Sequence, residues 1–197
     1  MLRSLGADPV EVRLPSQLDP LDCLIIPGGE STTIARLCEA FDLVEPLRAF
    51  GKERAIWGTC AGAIFLSVDA LRDQTVLGLM DITVERNAFG RQAESFEVDL
   101  EIPALDGHAN GGPRANRGHG GTGAAGGNGG PRATSYHAIF IRAPLIREAR
   151  GTARPLATLA DGRIVAAQQG KLLATSFHPE LTSDTRVHQY FLKIAAA

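Results

Sequence analysis

The sequence predicts an α/β protein with a central, mainly parallel sheet. In the first third of the chain, runs rich in β-branched and apolar residues at 23–26 and 55–57 alternate with helical segments at 31–41 and 44–50. Short apolar strands separated by helices are typical of parallel sheets, in which each helix returns the chain to the same end of the sheet. Beyond residue 75, strand-like runs follow one another with few helices between them, which predicts added antiparallel strands.

The remaining elements follow from the same periodicities. A strand is predicted at 10–14, after Leu2, Leu5 and Gly6, which have the pattern of a last helical turn and its stop. In the second half, strands are predicted at 81–85, 96–102, 137–141, 156–159, 164–167 and 172–176. The segment 182–196 has apolar residues at helical spacing and is expected to pack on the sheet, with Thr182 or Ser183 as its N-cap.

Length and composition indicate one globular domain, residues 1–197. Hydrophobic residues make up 44% and charged residues 21% of the chain, and the formal net charge is −2, which disfavours a disordered or strongly basic, nucleic-acid-binding protein. No apolar run approaches the roughly 20 residues of a membrane span, and the first residues lack a secretory signal, so a cytoplasmic protein is expected. The three cysteines match no disulfide framework or metal-finger spacing.

A glycine-rich segment interrupts the domain at 107–132. It contains no Val, Ile, Leu, Phe, Trp or Tyr, so it cannot bury enough apolar area to offset the conformational entropy lost on ordering. We therefore expect a flexible surface insertion. Its few arginines form no repeated Arg-Gly-Gly unit and no aromatics lie between them, which favours an inert insertion over an RNA-binding tail.

The segment 55–66 has the pattern of a buried strand, a tight turn around Cys60 and an apolar helix. Glycines lie two residues before and two residues after Cys60, where a nucleophile elbow needs small residues. Such a turn projects the side chain above the sheet, and the start of the following helix favours the thiolate. The alternative is a buried structural cysteine, which is our interpretation of Cys23 on its strand and Cys38 on its helix.

A cysteine nucleophile needs a base, and the base needs an orienting partner. His178 lies just beyond the last predicted strand, at the end of the sheet where α/β sites assemble. Glu180, two residues later, is placed to accept a hydrogen bond from the imidazole. Cys60, His178 and Glu180 therefore form a candidate triad. The alternative is a strand-end histidine that serves as a cap, beside a solvated glutamate.

The turn Pro27-Gly28-Gly29 joins another predicted strand to a helix. Its glycines leave backbone N–H groups uncovered, and together with the N–H of Ala61 these donors suit an oxyanion hole. Taken alone, the turn favours the simpler interpretation of a connection capped by Ser31.

Several motifs together resemble the glutaminase subunit of pyridoxal 5′-phosphate synthase, the PdxT/SNO group of the class I, or triad, glutamine amidotransferases. They read PGGESTTI, GTCAG, ITVERNAFGRQ with SFEVDL, IFIRAP and SFHPELTSDTRVH, in the family's order and spacing. The GTCAG and HPE motifs are typical of the amidotransferase class, and GGESTT, ERNAFGRQ and FIRAP narrow the resemblance to this subunit. It covers residues 1–106 and 133–195 and implies a flavodoxin-like, three-layer α/β fold.

The resemblance implies hydrolysis of L-glutamine to L-glutamate by Cys60, His178 and Glu180, with ammonia passed to a separate PdxS/SNZ-type synthase subunit. It implies that the amides of Gly29 and Ala61 form the oxyanion hole. The implied glutamine contacts are Gly29, Glu30, Ser31, Arg86, Ile141 and Arg142; an arginine fork suits the carboxylate of a free amino acid. No metal, cofactor, nucleic acid or membrane is expected.

The chain departs from this family in two places. Members begin with a strand and a Leu-Gln-Gly loop, whereas this chain starts inside the helix that follows, so the N-terminal strand is expected to be lacking through a misassigned start or a shortened form. The insertion at 107–132 stands where the family has a short turn. Two alternatives to an active glutaminase stay open: a shortened, inactive or partner-binding-only subunit, and a related amidotransferase with another ammonia acceptor.

Overall fold

The computed structural model describes residues 1–86, 88, 95–108 and 135–197. The predicted insertion at 107–132 therefore lies outside the described residues, apart from Gly107 and His108. Within the described ranges, no helix has the length and apolar character needed to cross a membrane.

The helices and strands alternate in the first half of the chain, as the sequence predicts. They are β1 (Cys23–Ile26), α1 (Ser31–Ala40), α2 (Val44–Glu53), β2 (Ala55–Thr59), α3 (Ala61–Leu66), β3 (Ser67–Asp69) and β4 (Met80–Glu85). They are followed by β5 (Ser95–Leu100), β6 (Tyr136–Ile141), β7 (Leu145–Ala149), β8 (Arg154–Thr158), β9 (Ile164–Gln169), β10 (Leu172–Thr175) and α4 (Arg186–Ala196). The helical stop predicted at Gly6 is confirmed, since a short 3-10 helix over Leu2–Leu5 ends there with a φ of 84°.

The main sheet has the strand order β1-β2-β10-β9-β7-β4-β3, and β8 pairs with β9. β1, β2 and β10 run parallel to one another, as do β3 and β4. β9 and β7 run antiparallel to their neighbours, and β5 and β6 form a separate antiparallel pair. The predicted parallel strands with antiparallel additions are therefore confirmed.

Two apolar clusters cover the sheet and make three layers. On one face, α1, α2 and α3 pack against residues that include Ile56 and Ala174. On the other face, α4 and the β5–β6 pair pack against residues that include Trp57 and Leu173. Successive residues of a strand point to opposite faces of the sheet. Because both faces are covered here, β2 is buried along its whole length. The carboxyl ends of β2 and β10 lie side by side, and the chain that follows them contains Cys60 and His178.

Two local predictions are wrong. Residues 10–14 form no strand and Val10 is 59% exposed, because an alternating pattern gives no stable strand without a neighbour to pair with. α4 begins at Arg186 rather than beside residue 182. The Thr182 hydroxyl is used within the preceding turn instead, where it donates to the carbonyl of Pro179 (3.2 Å) and accepts from the N–H of Asp184 (3.3 Å). β3 and β7 are not predicted by the sequence patterns.

An open groove runs along the edge of β1. It has a volume of about 1200 Å³ and lies between β1 and the irregular segment 7–13. Its walls come from the helices on both faces of the sheet: Leu47 and Phe65 lie on one face, and Phe191 and Ala195 lie on the other. In the described part of the chain, β1 pairs with β2 alone, so the outer edge of β1 faces this groove.

Candidate active site

Cys60 lies on a sharp turn between β2 and α3. Its backbone has a φ of 50° and a ψ of −107°, a region that residues other than glycine rarely adopt. The N–H of Cys60 donates to the carbonyl of Thr175 (2.8 Å), which ties the turn to the end of β10. This is the strained strand-to-helix geometry of a nucleophile elbow.

Close packing explains the glycines on either side of Cys60. A Cβ at Gly58 would lie 2.4 Å from the backbone of Gly62, and a Cβ at Gly62 would lie 2.1 Å from the carbonyl oxygen of Ile26. Both contacts are with main-chain atoms, which cannot rotate away. Glycine at these two positions therefore lets α3 approach the sheet closely enough to form the turn.

His178 reaches the elbow from the segment after β10. Its backbone N–H donates to the carbonyl of Ile139 in β6 (2.9 Å), and its side chain is 13% exposed. A hydrogen bond with Cys60, followed by one with Glu180, raises the pKa of His178 to about 10. The imidazole is therefore protonated at neutral pH.

Glu180 contacts the other side of the same imidazole. Its Oε1 lies 2.7 Å from Nδ1 of His178. Burial acts to raise the pKa of Glu180, but the hydrogen bond with His178 and smaller electrostatic contributions outweigh it, so the pKa is lowered. The structure thus brings the three predicted triad residues together as a hydrogen-bonded series from the Cys60 sulfur through the imidazolium of His178 to the carboxylate of Glu180.

Gly28 packs directly against this series. A Cβ at Gly28 would lie 2.6 Å from Cε1 of His178 and 3.4 Å from Cβ of Cys60. The turn that contains Gly29 therefore borders the cysteine on one side, and Ala61, the first residue of α3, follows it on the other. Both residues predicted for the oxyanion hole belong to segments that flank Cys60.

Two of the predicted substrate contacts form an ion pair with each other. Nη1 of Arg86, just after β4, lies 2.6 Å from Oε1 of Glu30. Glu30 also caps α1, since its side chain accepts from the N–H of Thr33 (2.7 Å). Its pKa is lowered to about 2, chiefly by a hydrogen bond from the Thr32 hydroxyl. Glu30 is therefore charged and held at the start of α1, opposite a charged arginine.

The last predicted contacts lie at the end of β6. The carbonyl oxygen of Ile141 is 4.0 Å from Sγ of Cys60, which places β6 beside the elbow. Arg142 has a φ of 43°, so a second non-glycine residue next to the site has a left-handed backbone. Strained residues of this kind cluster at functional sites.

Sequence reasoning assigned no role to two polar neighbours of the site, the half-buried Gln74 and the buried His188. Oε1 of Gln74, in the loop between β3 and β4, accepts a hydrogen bond from Oγ of Ser31 (3.1 Å). His188 on α4 lies with its ring 4.9 Å from that of Trp57, and burial lowers its pKa to about 4. Gln74 lies in none of the quoted motifs, and His188 is the last residue of SFHPELTSDTRVH, where local spacing predicts no role for it. In the ranges that the structure describes, no three His, Cys, Asp or Glu side chains are grouped to hold a metal ion.

The sequence matches the SNO glutamine amidotransferase family over residues 1–113 and 131–196. The chain belongs to this family. Among the relatives of this SNO-family chain is the pyridoxal 5′-phosphate synthase subunit PdxT of Roseiflexus castenholzii, 48% identical over 198 residues, an alignment that covers 98% of this chain and 91% of that protein. The PdxT of Herpetosiphon aurantiacus is 49% identical over 197 residues, with 98% and 90% covered.

Solved structures agree with the SNO-family assignment. A crystal structure of a glutamine amidotransferase superposes with a TM-score of 0.81 at 41% identity and covers all of this chain and 90% of that one. A putative GMP synthase component from Thermoplasma acidophilum has a TM-score of 0.62 at 19% identity, with 99% and 84% covered, and supports the fold alone. The predicted amidotransferase fold is confirmed.

Proposed function

We propose that this SNO-family chain is the glutaminase subunit of a pyridoxal 5′-phosphate synthase, and that it hydrolyses L-glutamine to L-glutamate and ammonia for vitamin B6 synthesis. One observation supports the chemistry above all: Cys60 lies on a strained elbow and is hydrogen-bonded to an imidazole that Glu180 helps to keep charged. The names of the relatives, pyridoxal 5′-phosphate synthase subunit PdxT, support the destination of the ammonia.

The proposed reaction starts from a thiolate at Cys60 and an imidazolium at His178. The sulfur attacks the carboxamide carbon of the glutamine side chain, and the backbone N–H groups of Gly29 and Ala61 stabilise the oxyanion. His178 then donates its proton to the departing nitrogen, which leaves as ammonia, and a thioester remains on Cys60. Glu180 orients the imidazole throughout.

Water completes the proposed cycle. The neutral His178 accepts a proton from a water molecule, whose oxygen attacks the thioester carbon, and glutamate leaves as the thiolate and imidazolium are restored. Ammonia that escapes to solvent is lost to the synthesis. We therefore infer that a PdxS/SNZ-type synthase subunit covers the site and accepts the ammonia.

The charges beside the elbow suit a free amino acid. Arg86 and Glu30 present opposite charges 2.6 Å apart, which matches the zwitterionic head of glutamine. In this proposal Arg86 and Arg142 bind the α-carboxylate, and glutamine also contacts Gly29, Glu30, Ser31 and Ile141.

The test is the release of ammonia and glutamate from glutamine by the chain together with the purified synthase subunit. Wild-type chain should release both, and Cys60→Ala should release neither above background because it lacks the nucleophile. Cys38→Ala is the matched control: Cys38 is a free, half-buried cysteine on α1, and its loss should leave turnover intact. Unchanged turnover in Cys60→Ala would end the triad proposal.

The same assay separates the alternatives. A chain that binds the synthase subunit but releases no ammonia is a partner-binding-only subunit. Ammonia release that requires a different acceptor enzyme identifies a related amidotransferase instead.

A further inference from the structure

The loop between β3 and β4 contacts the start of α1. Within it, Oε1 of Gln74 accepts the hydrogen bond from Oγ of Ser31 at 3.1 Å. Ser31 is the first residue of α1, is 1% exposed, and directly follows the Gly28-Gly29-Glu30 turn. Gln74 therefore contacts the segment that, in the proposed function, supplies an oxyanion donor and binds glutamine.

The end of this loop is fixed to the helix that follows the candidate nucleophile. The N–H of Leu77 donates to the carbonyl of Phe65 in α3 (2.7 Å), and the N–H of Leu79 donates to that of Leu66 (3.1 Å). The guanidinium of Arg48 on α2 donates to the carbonyls of Val76 (2.9 Å) and Leu77 (3.0 Å). A continuous set of bonds thus runs from α3 through this loop to Ser31.

The carboxamide of Gln74 is held at a cost to stability. Its Nε2 is buried and has no hydrogen-bond partner among the residues that the structure describes, and a buried donor left unpaired destabilises the fold. An apolar side chain of the same length would avoid that cost, but it would leave the buried hydroxyl of Ser31 without its acceptor. An unsatisfied buried group in a native structure requires an explanation. The hydrogen bond to Ser31 explains why a glutamine occupies position 74 although its Nε2 is unpaired.

We propose that Gln74 is a positioning residue for the Gly28–Ser31 turn. Its Oε1 holds the Ser31 hydroxyl, and through Ser31 it fixes the backbone N–H groups of the turn relative to Cys60. The inference rests on the proposed function for its effect on turnover, whereas its effect on the turn itself is independent of any activity.

The test is Gln74→Met, which keeps the length of the side chain and removes both the acceptor and the unpaired donor. Amide hydrogen exchange of the peptide 28–34 should become faster, because the bond that restrains it is gone. With the synthase subunit present, kcat should fall by about ten- to a hundredfold with little change in KM, since displaced donors act on the transition state. The melting temperature should change little, because the variant removes one unpaired buried donor, Nε2 of Gln74, but leaves another, the hydroxyl of Ser31.

Thr75→Val is the matched control. Thr75 is the next residue of the loop, and its hydroxyl bonds Glu39 on the outer side of α1, so this variant should leave exchange of 28–34 and turnover at wild-type values. Ser31→Ala removes the same hydrogen bond from the other side and should reproduce the faster exchange, which keeps the test decisive if Gln74→Met folds poorly.

The outcomes separate the two proposals. Wild-type exchange of 28–34 in both Gln74→Met and Ser31→Ala overturns the positioning role, whatever the activity. Faster exchange with unchanged kcat also overturns it. If the wild-type complex releases no ammonia, the proposed glutaminase function is overturned. Faster exchange in the two variants would still support the restraint of the turn by Gln74.

Discussion

His178 forms hydrogen bonds with Cys60 and Glu180, and both favour its protonated form. Its pKa is about 10 in the folded chain against an ordinary value of 6.5. The stability gained from this shift is complete below pH 6.5 and is lost as pH rises toward 10. Glu180, whose pKa is lowered from 4.5, contributes stability above that pH which is lost on acidification.

Glu180→Gln should lower the pKa of His178, because it removes one of the two contacts that stabilise the imidazolium. The free energy of unfolding should differ from wild type most between about pH 4.5 and 6.5, and the difference should shrink toward pH 10. NMR titration of the His178 ring and urea denaturation across this range measure the two effects. Glu148→Gln, which alters an exposed ion pair with Arg150, should change neither; an unshifted His178 pKa in Glu180→Gln would contradict the argument.

Single residues of the candidate site differ in how far the sequence reveals them. Cys60 is marked by the glycines around it, and Glu180 is two residues from its partner, so local spacing predicts both. The ion pair of Arg86 with Glu30 joins positions 56 residues apart, as their numbers show. Its geometry, like the bond of Gln74 to Ser31, depends on the tertiary path of the chain, which no local pattern encodes.

Among the elements, the elbow depends on the contact of α3 with β1. Gly62→Ala should destabilise the fold by about 3 kcal/mol, because the new methyl group meets the carbonyl of Ile26 and the backbone must shift. Gly78→Ala is the matched control, since a Cβ there meets nothing within 4 Å but the residue has a φ of 65°; strain alone should cost about 1 kcal/mol. Urea denaturation compares the two, and equal losses would be inconsistent with a packing requirement at Gly62.

A buried ion pair anchors the start of α4. Arg186, 3% exposed, donates to Asp184 through Nη2 (2.6 Å) and Nε (3.0 Å) and to the carbonyl of Ser135 (2.9 Å), and it lies over the ring of Tyr136. Arg186→Met should cost about 3–5 kcal/mol, because it leaves the Asp184 carboxylate buried without its partner. The double variant Asp184→Leu/Arg186→Met should lose less than the sum of the single losses in urea denaturation. Additive losses would show that the two side chains act independently.

The sequence-based predictions of strands are wrong where pairing with another strand determines whether a strand forms. Residues 10–14 have the composition of a strand but pair with no strand in the described part of the chain, so this segment is irregular. β7 contains Arg147 and Glu148, which weaken its strand pattern, yet it is held by antiparallel pairing with β4 and by the Arg147–Glu85 ion pair across the two strands. Strand propensity thus predicts which segments could form strands, and pairing with an adjacent strand determines which of them do.

At the scale of the molecule, one sheet joins both apolar clusters. The single tryptophan, Trp57, is 1% exposed and contacts Phe191 of α4, while the adjacent Ile56 belongs to the opposite cluster. Neither cluster keeps its packing if β2 detaches. Thermal unfolding followed by Trp57 fluorescence and by far-ultraviolet circular dichroism should therefore give one coincident transition. Two separate midpoints would show that the layers unfold independently.

The groove beside β1 has a practical consequence for the purified protein. Four apolar residues, Cys23 to Ile26, present one side of an extended backbone to solvent, and such an edge recruits strands from other molecules. Aggregation of concentrated samples is therefore expected to begin there, and sulfate, which strengthens apolar contacts, should hasten it. Low protein concentration and the absence of sulfate should therefore both slow the aggregation that begins at this edge.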